Sequence, residues 1–334
     1  MPIQYSFIVP VFNRPNEIHE LLSSFSAMET TIPYEIVIVE DGSTHTSSTV
    51  IDEYNNLNIA YYVKPNTGPG DSRNYGMERA KGSYFIILDS DVLLPKMYLN
   101  KVHENLVEDY VDCFGGPDAA HKSFSPTQKA INFAMTSFVT TGGLRGGKAA
   151  VSKFQPRSFN MGLSKKAFLA SKGFGRIHPG EDPDLVFRLW NLGFQTKIFY
   201  DAFVYHKRRI SWHKFYLQVR KFGMVRPILN VWHPTTQQLA FWFPSLFTLG
   251  LVFAIIILLC GFLWPIMLYA LYFCIAFCVA LAQTKSLSVS ILALYAILIQ
   301  FGAYGFGFLE STLAMQITKN KPEEQFPKLF FKQP

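Results

Sequence analysis

A long uncharged stretch constrains this chain more than any other feature of its sequence. Residues 239–282 are 44 consecutive positions without a charged side chain, about twice the ~20 residues that an α-helix needs to cross a bilayer. They predict two membrane-spanning helices joined by a tight turn near residues 261–265. A third apolar segment follows at residues 286–315. Three glycines in it favour close helix packing, namely Gly302, Gly305 and Gly307.

A basic stretch precedes the apolar region. Between Ala202 and Gln238 there are seven Lys and Arg residues and no acid. Residues 209–238 within it predict basic amphipathic interfacial helices, because aromatic side chains are interleaved with the bases. Such a segment beside an apolar block is typical of an anchor on anionic membrane lipids. Nucleic acid is the alternative partner for this charge, but the membrane block already explains it, so no nucleic-acid partner is expected.

The residues before this region alternate strands and helices. Short β-forming runs at residues 5–11 and 34–39 flank a helical pattern at residues 17–28, which together predict a βαβ unit with a parallel sheet. Another strand-like run at residues 59–63 leads into a glycine-rich loop at residues 66–76. The loop matches neither a Walker A sequence nor a Gly-x-Gly-x-x-Gly fingerprint. The predicted fold class is α/β, with a Rossmann-like, mostly parallel sheet followed by an interfacial helix and an α-helical membrane region.

Two carboxylates one residue apart end the apolar run at residues 84–88. Side chains at i and i+2 of an extended backbone point to the same side. Asp89 and Asp91 are therefore predicted to converge just past a strand end, where open α/β sheets bind ligands. Their hard oxygen atoms suit Mg²⁺ or Mn²⁺. A solvated turn is the alternative interpretation of this tripeptide taken alone.

Four stretches of sequence occur in a characteristic order: IVPVFNRP, IVIVEDGS, NTGPGDSRNYGMERAKGSYFIILDSDV and GEDPDLVFRLW. Together they resemble the inverting family 2 glycosyltransferases with a GT-A fold, in the membrane-anchored subgroup with C-terminal transmembrane helices. The resemblance covers about residues 3–226. It implies a nucleotide-sugar donor of UDP or GDP type and a divalent cation, Mg²⁺ or Mn²⁺, as cofactor.

The resemblance also assigns the donor-binding residues. Asp41 would accept a hydrogen bond from the nucleotide base, and Arg73 would help to hold the base or the diphosphate. The full set of nucleotide-sugar-binding residues is Pro10, Val11, Phe12, Asp41, Arg73, Asp89 and Ser90. A glycine-rich run at residues 140–147 predicts a mobile loop that closes over the donor and excludes water.

The metal and the base are assigned in the same way. Asp91 would ligate the metal directly, with Asp89 near the ribose or the metal. His206 matches a family position that reaches the metal or the diphosphate. Asp182 would be the general base that deprotonates an acceptor hydroxyl, with Glu181 beside it. Two further residues are predicted to lie on the diphosphate or acceptor side, Gln218 and Arg220.

Departures from related subgroups narrow the expected function. Polyprenyl-phosphate sugar transferases usually carry Leu-Gln after the second aspartate, where this chain has Val92-Leu93. The Gln-x-x-Arg-Trp motif of processive synthases is absent from residues 218–222, and three spans are few for a polymer channel. These differences favour single addition of a sugar to a lipid-linked or membrane-presented glycan in polysaccharide biosynthesis. Transfer to polyprenyl phosphate, and a non-catalytic membrane scaffold with a GT-A fold, are the alternatives.

The predicted domains are a cytosolic GT-A domain at residues 1–208, the interfacial helices at 209–238, a transmembrane region at 239–317 and a basic tail at 318–334. No cleavable signal peptide is expected, and Lys285 with the basic segment favours the cytosolic side. The expected location is the inner (cytoplasmic) membrane, as a multi-pass protein with a cytosolic catalytic domain. Three spans would then put the basic tail outside, so its side is left open.

Overall fold

The computed structural model describes residues 4–119, 124–142, 154–206, 211–318 and 320–331, with the side chain of His206 outside the description. The chain forms two compact units. The first, here called the α/β unit, contains Met1–His121, Ser152–Lys207 and Phe330–Pro334. The second, the helical unit, contains Lys122–Val151 and Arg208–Leu329.

The described strands all belong to the α/β unit. They are β1 (Tyr5–Val11), β2 (Tyr34–Asp41), β3 (Ile59–Lys64), β4 (Tyr84–Leu88), β5 (Val92–Leu93), β6 (Cys113–Gly115), β7 (Asp118–Ala119), β8 (Asn160–Ser164), β9 (Thr196–Ile198) and β10 (Val204–His206). The main sheet has the order β3-β2-β1-β4-β8-β6-β9, and a small sheet has the order β5-β10-β7. Strands β1 to β4 pair in parallel, while β8 is antiparallel to both of its neighbours. The predicted mostly parallel α/β sheet is confirmed.

The helices are distributed over both units. They are α1 (Pro15–Ser26), α2 (Ser48–Ile51), α3 (Pro69–Arg79), α4 (Tyr98–Glu108), α5 (Pro126–Thr136), α6 (Phe138–Thr141), α7 (Lys165–Ser171), α8 (Glu181–Asn191), α9 (Trp212–Trp232), α10 (Phe243–Leu259), α11 (Trp264–Thr284), α12 (Leu287–Ile317) and α13 (Pro322–Gln325). Short 3₁₀ turns lie at Pro234–Thr236, Leu239–Trp242 and Pro327–Leu329.

Burial on both faces explains why the central strands are continuous apolar runs. Phe7 and Val9 of β1 belong to one buried cluster, and Ile8 between them belongs to another on the opposite face. Pro10 lies beyond Ile8, the last residue of β1 that pairs with β4, so its missing N–H takes no bond from that ladder. Gly76 lets α3 lie close to the sheet, because a Cβ there would come within 2.9 Å of the Ile8 side chain.

In the helical unit, α9 packs along α12 through small residues. A Cβ built on Gly307 would lie 2.4 Å from the Arg220 carbonyl oxygen, and one on Gly223 would lie 2.2 Å from the Tyr304 carbonyl oxygen. Arg220 also forms an ion pair of 2.5 Å with Glu310. Of the predicted packing glycines, Gly302 differs, because no described residue beyond its own stretch of helix comes within 4 Å of its Cβ position.

Three described helices are long and apolar enough to cross a membrane: Leu239–Leu259, Trp264–Thr284 and Leu287–Ile317. The turn between the first two occupies residues 260–263, close to the predicted position. The third apolar segment is one uninterrupted helix of 31 residues. That length corresponds to about 46 Å, which exceeds the ~30 Å hydrocarbon core of a bilayer.

The structure differs from the sequence-based expectations in three places. Helix α5 belongs to the helical unit although it falls inside the predicted 1–208 domain, because its apolar side chains pack against those of α12. Thr140 and Thr141 end the short helix α6 instead of starting a loop, and residues 143–147 lie outside the described part. Within the predicted tail, Phe330 and Phe331 belong to the α/β unit.

The two glycines of α12 give a matched test of this packing. We expect Gly307→Leu to lower the apparent melting temperature of the detergent-solubilised protein, because its side chain meets the backbone of α9; overpacking typically costs about 1–3 kcal/mol. Gly302→Leu, on the same helix with open space around it, should leave the melting temperature unchanged or raise it. Equal shifts in the two variants would contradict the packing described here.

Candidate active site

The carboxylate of Asp41 fixes the loop that follows β3. Asp41 is the last residue of β2, and its Oδ1 accepts hydrogen bonds from Lys64 Nζ at 2.7 Å and from the Thr67 backbone N–H at 3.0 Å. Its Oδ2 accepts from the Gly68 backbone N–H at 2.9 Å. A carboxylate has about four acceptor positions, and these bonds use three of them.

The loops after β1 and β2 are tied to each other. Asn13 adopts a φ of 55°, which asparagine tolerates better than most residues. Its side-chain oxygen accepts bonds from the backbone N–H groups of Thr44 at 2.8 Å and His45 at 2.9 Å. The neighbouring Phe12 is 48 % exposed. This arrangement presents an aromatic face next to the end of β2.

A buried arginine joins three elements of the α/β unit. Arg73 of α3 donates from Nη2 to Asp89 Oδ1 at 2.8 Å and from Nη1 to Glu181 Oε1 at 3.2 Å. Its guanidinium lies 5.2 Å from the ring centre of Phe174, within the range of a cation–π contact. Burial lowers the pKa of Arg73, but the negative charges of Asp89, Glu181 and Asp182 outweigh burial and raise it. The planar guanidinium suits a position that binds two carboxylates at once.

The segment Asp89-Ser90-Asp91 rests on the start of α1. Ser90 Oγ donates to Glu17 Oε2 at 2.9 Å, and Arg14 Nη1 lies 2.8 Å from Glu17 and 3.4 Å from Asp91 Oδ2. Asp89 and Asp91 therefore have different arginine partners.

Within the described residues, no group of three or more His, Cys, Asp and Glu side chains is placed to hold a metal ion. The side chain of His206 lies outside this part of the chain. The donor chemistry at Asp89 and Asp91, two hard carboxylates with partly exposed side chains, does suit Mg²⁺ or Mn²⁺ that substrate phosphates also ligate. Their assignment as metal ligands stays a prediction.

Two adjacent acids at the start of α8 have contrasting environments. Glu181 accepts from Arg73 and shares a hydrogen bond of 3.1 Å with His178 Nδ1. Asp182 Oδ2 accepts from the Ser158 backbone N–H at 3.2 Å, and its buried Oδ1 has no hydrogen-bond partner among the described residues. These acids follow Gly180, whose φ of 122° favours glycine.

The same environments separate the pKa values of the two acids. Burial, together with the negative charge of Glu181, raises the pKa of Asp182 to about 6, against the opposing effect of Arg73 and Arg157. Burial also acts to raise the pKa of Glu181, but His178 and Arg73 outweigh it and lower this pKa to about 2. A pair of carboxyl groups separated in this way has one permanent anion and one base suited to neutral pH.

The structure thus brings Arg73, Asp89 and Glu181 into contact, with Asp182 next along α8. Gln218 and Arg220, predicted on the diphosphate or acceptor side, lie in the helical unit, where Glu310 binds Arg220. Sequence reasoning missed the supporting charges at positions beside the motifs, which are Arg14, Glu17, Glu40 and Lys64. Their signal was a charged residue near the end of a strand, in the turn that follows it or in the first turn of the next helix.

Residues 6–167 match the family model described as Glycosyl transferase family 2. These residues form a family 2 glycosyltransferase domain. An uncharacterized glycosyltransferase of Rickettsia typhi is 37 % identical over 101 residues, which is 30 % of this chain and 30 % of the relative. The chain spans about 11–30 % of the length of the curated relatives that it matches.

Two solved structures extend the comparison over nearly the whole chain. The mannosyltransferase PcManGT from Pyrobaculum calidifontis, in complex with GDP-Man and Mn²⁺, has 14 % identity and a TM-score of 0.58, covering 94 % of this chain and 89 % of its own. Residues 1–349 of S. aureus TarS, in complex with UDP-GlcNAc, have 18 % identity and a TM-score of 0.50, covering 92 % and 91 %. At these identities the likeness shows the fold, and the predicted GT-A fold is confirmed.

Two arginines of α3 give a test of the buried cluster. We expect Arg73→Ala to destabilise the protein by about 3 kcal/mol, because it leaves buried carboxylates without their counter-charge. The melting temperature should then fall by about 6–12 °C. Arg79→Ala, at an exposed end of the same helix, where Arg79 lies against the ring of Tyr75, should shift it far less. The same small shift in both variants would show that the Arg73 cluster does not stabilise the α/β unit.

Proposed function

We propose that this protein is a membrane-bound inverting glycosyltransferase. It transfers a sugar from a nucleotide-sugar to a hydroxyl group of a lipid-linked or membrane-presented glycan, in the synthesis of a cell-surface polysaccharide. The observation that carries this proposal is the position of Arg73, which contacts both Asp89 on the donor side and Glu181 beside the candidate base Asp182. The buried Arg73 would therefore link the donor side and the acceptor side of the transfer reaction.

The donor half is supported by the ends of β1 and β2. The nucleobase would contact Phe12, whose aromatic face is exposed, and would donate to the remaining acceptor position of Asp41. Pro10, Val11 and Ser90 would complete the donor pocket. The two structural neighbours bind GDP-Man and UDP-GlcNAc, which supports a nucleotide-sugar donor of GDP or UDP type.

Asp89 and Asp91 would hold a divalent cation, with His206 as a further candidate ligand. When bound, this ion would neutralise the negative charge that develops on the departing diphosphate. The chain supplies positive charge of its own at this place. Arg73 lies 2.8 Å from Asp89, and Arg14 lies 3.4 Å from Asp91.

The acceptor half rests on Asp182. Inversion needs an acceptor hydroxyl that attacks the anomeric carbon on the face opposite the leaving group, and a base that takes the hydroxyl proton. Asp182 Oδ1 is the candidate atom, since it is buried and accepts no hydrogen bond from any described residue. Its raised pKa makes it a stronger base than an ordinary aspartate. Glu181 stays ionised and keeps Arg73 in place.

The membrane location rests on the helical unit. Three described helices have the length and composition of membrane spans, and the basic helix α9 would lie where anionic lipid headgroups are available. Helix α12 is longer than a hydrocarbon core, and its ion pair between Arg220 and Glu310 fits a position outside that core. We propose a multi-pass protein of the inner membrane with its catalytic domain in the cytosol, which would give it access to an acceptor carried on a lipid.

The function is tested by donor hydrolysis with the detergent-purified protein. A panel of UDP-, GDP- and dTDP-sugars is incubated with and without Mn²⁺, beside the variant Asp91→Ala. We expect one nucleotide to be released, faster with Mn²⁺, and release to be lost in the variant. No release from any donor, together with no metal-dependent nucleotide binding, would reject the transferase and favour a non-catalytic scaffold.

The pH dependence identifies the acceptor chemistry. Because the pKa of Asp182 is about 6 and the base must be ionised, transfer to a hydroxyl should fall about tenfold per pH unit below pH 6. Asp182→Asn should abolish transfer while nucleotide-sugar binding is retained. Substantial transfer by this variant would instead indicate a polyprenyl phosphate acceptor, since an ionised phosphate needs no base. The exposed variant Asp201→Asn serves as the control.

A further inference from the structure

The chain returns to the α/β unit after the helical unit. A 3₁₀ turn at Pro327–Leu329 ends the helical unit, and Phe330 and Phe331, here called the return segment, lie in the α/β unit. Phe330 forms an antiparallel bridge with Ile177. The Phe331 backbone N–H donates to the Arg176 carbonyl oxygen at 3.1 Å. The return segment therefore adds a short strand-like edge to the loop that precedes α8.

The ring of Phe331 rests on the turn that holds Asp41. A Cβ built on Gly68 would lie 2.3 Å from a ring carbon of Phe331, so only glycine leaves room for the ring. Gly68 also has a φ of 96°, and its N–H is one of the three groups bonded to Asp41. Loss of the ring would expose the turn and free it to move away from Asp41.

The same ring contacts the loop that leads to the candidate base. The centres of the Phe331 and His178 rings are 5.7 Å apart, and His178 shares its hydrogen bond with Glu181. The two loops also meet directly, because a Cβ on Gly70 would lie 2.8 Å from the Gly175 carbonyl oxygen. Phe331, both loops and the start of α3 line a cavity of about 380 Å³.

We propose that Phe331 is a positioning residue for the transfer reaction. Its ring packs between the turn at Gly68 and the loop at His178. The turn is bonded to Asp41, and the loop is bonded to Glu181 at the start of α8. Through these contacts one side chain sets the donor-binding carboxylate and the base helix relative to each other. The proposal rests on the glycosyltransferase function proposed above and adds a residue from outside the family 2 domain to its active site.

The test compares Phe331→Ala with Phe331→Tyr in the full-length protein in detergent. Tyr200→Ala, which removes an exposed aromatic ring elsewhere in the α/β unit, is the matched control. Two readouts are used: the donor KM and kcat for the nucleotide-sugar found in the hydrolysis panel, and hydrogen exchange at the Thr67 and Gly68 amides. The exchange measurement needs no substrate, so it tests whether the Phe331 ring stabilises the turn at Gly68 even if no donor is turned over.

We expect Phe331→Ala to raise the donor KM, to lower kcat/KM about 10-fold, and to speed exchange at both amides, whereas Phe331→Tyr and Tyr200→Ala resemble the wild type. A lower content of folded protein would reduce kcat with KM unchanged, which separates positioning from stability. Unchanged exchange in Phe331→Ala, or faster exchange with an unchanged donor KM, would overturn the positioning role. Exchange that changes as expected, in a protein that neither turns over any donor nor binds nucleotide in a metal-dependent way, would reject the transferase function alone.

Discussion

The α/β unit depends on one electrostatic requirement, the neutralisation of charge at Arg73. Arg73 is only 3 % exposed, and a buried charge without partners is strongly unfavourable. Its partners come from the end of β4 and the start of α8, which are separated by about 90 residues. Folding must therefore bring Asp89 and Glu181 to the same arginine. The geometry of the candidate active site follows from a condition that the stability of the unit already imposes.

Much of the α/β unit can be predicted from sequence because both faces of its sheet are buried. Continuous apolar runs at β1, β2 and β4 are what such strands require, and charged residues at their ends locate the site. The pairing of those charges cannot be predicted in the same way. Nothing local in the sequence decides that Asp89 pairs with Arg73 while Asp91 pairs with Arg14, because each pair joins residues that only the fold brings together.

In the helical unit, too, some features can be predicted from the sequence and others cannot. The absence of charge over residues 239–282 predicts two membrane spans, because hydrophobic length can be read directly from a continuous segment of sequence. Placement of α5 among these helices is not predictable, because its apolar residues would serve equally well in a soluble core. Gly302 and Gly307 make the point within one helix. They are the same residue in similar surroundings of sequence, yet only Gly307 lies against another backbone.

The return segment has a consequence for biosynthesis. The α/β unit is assembled from three separate stretches of chain, and the last of them follows the three apolar helices. A ribosome makes the chain from the N-terminus at about 5–20 residues per second, so Phe331 emerges roughly 6–25 s after β10. During this interval the sheet can form, but the loops at Gly68 and His178 lack the ring that joins them. The unit reaches its final arrangement only after the apolar helices have left the ribosome.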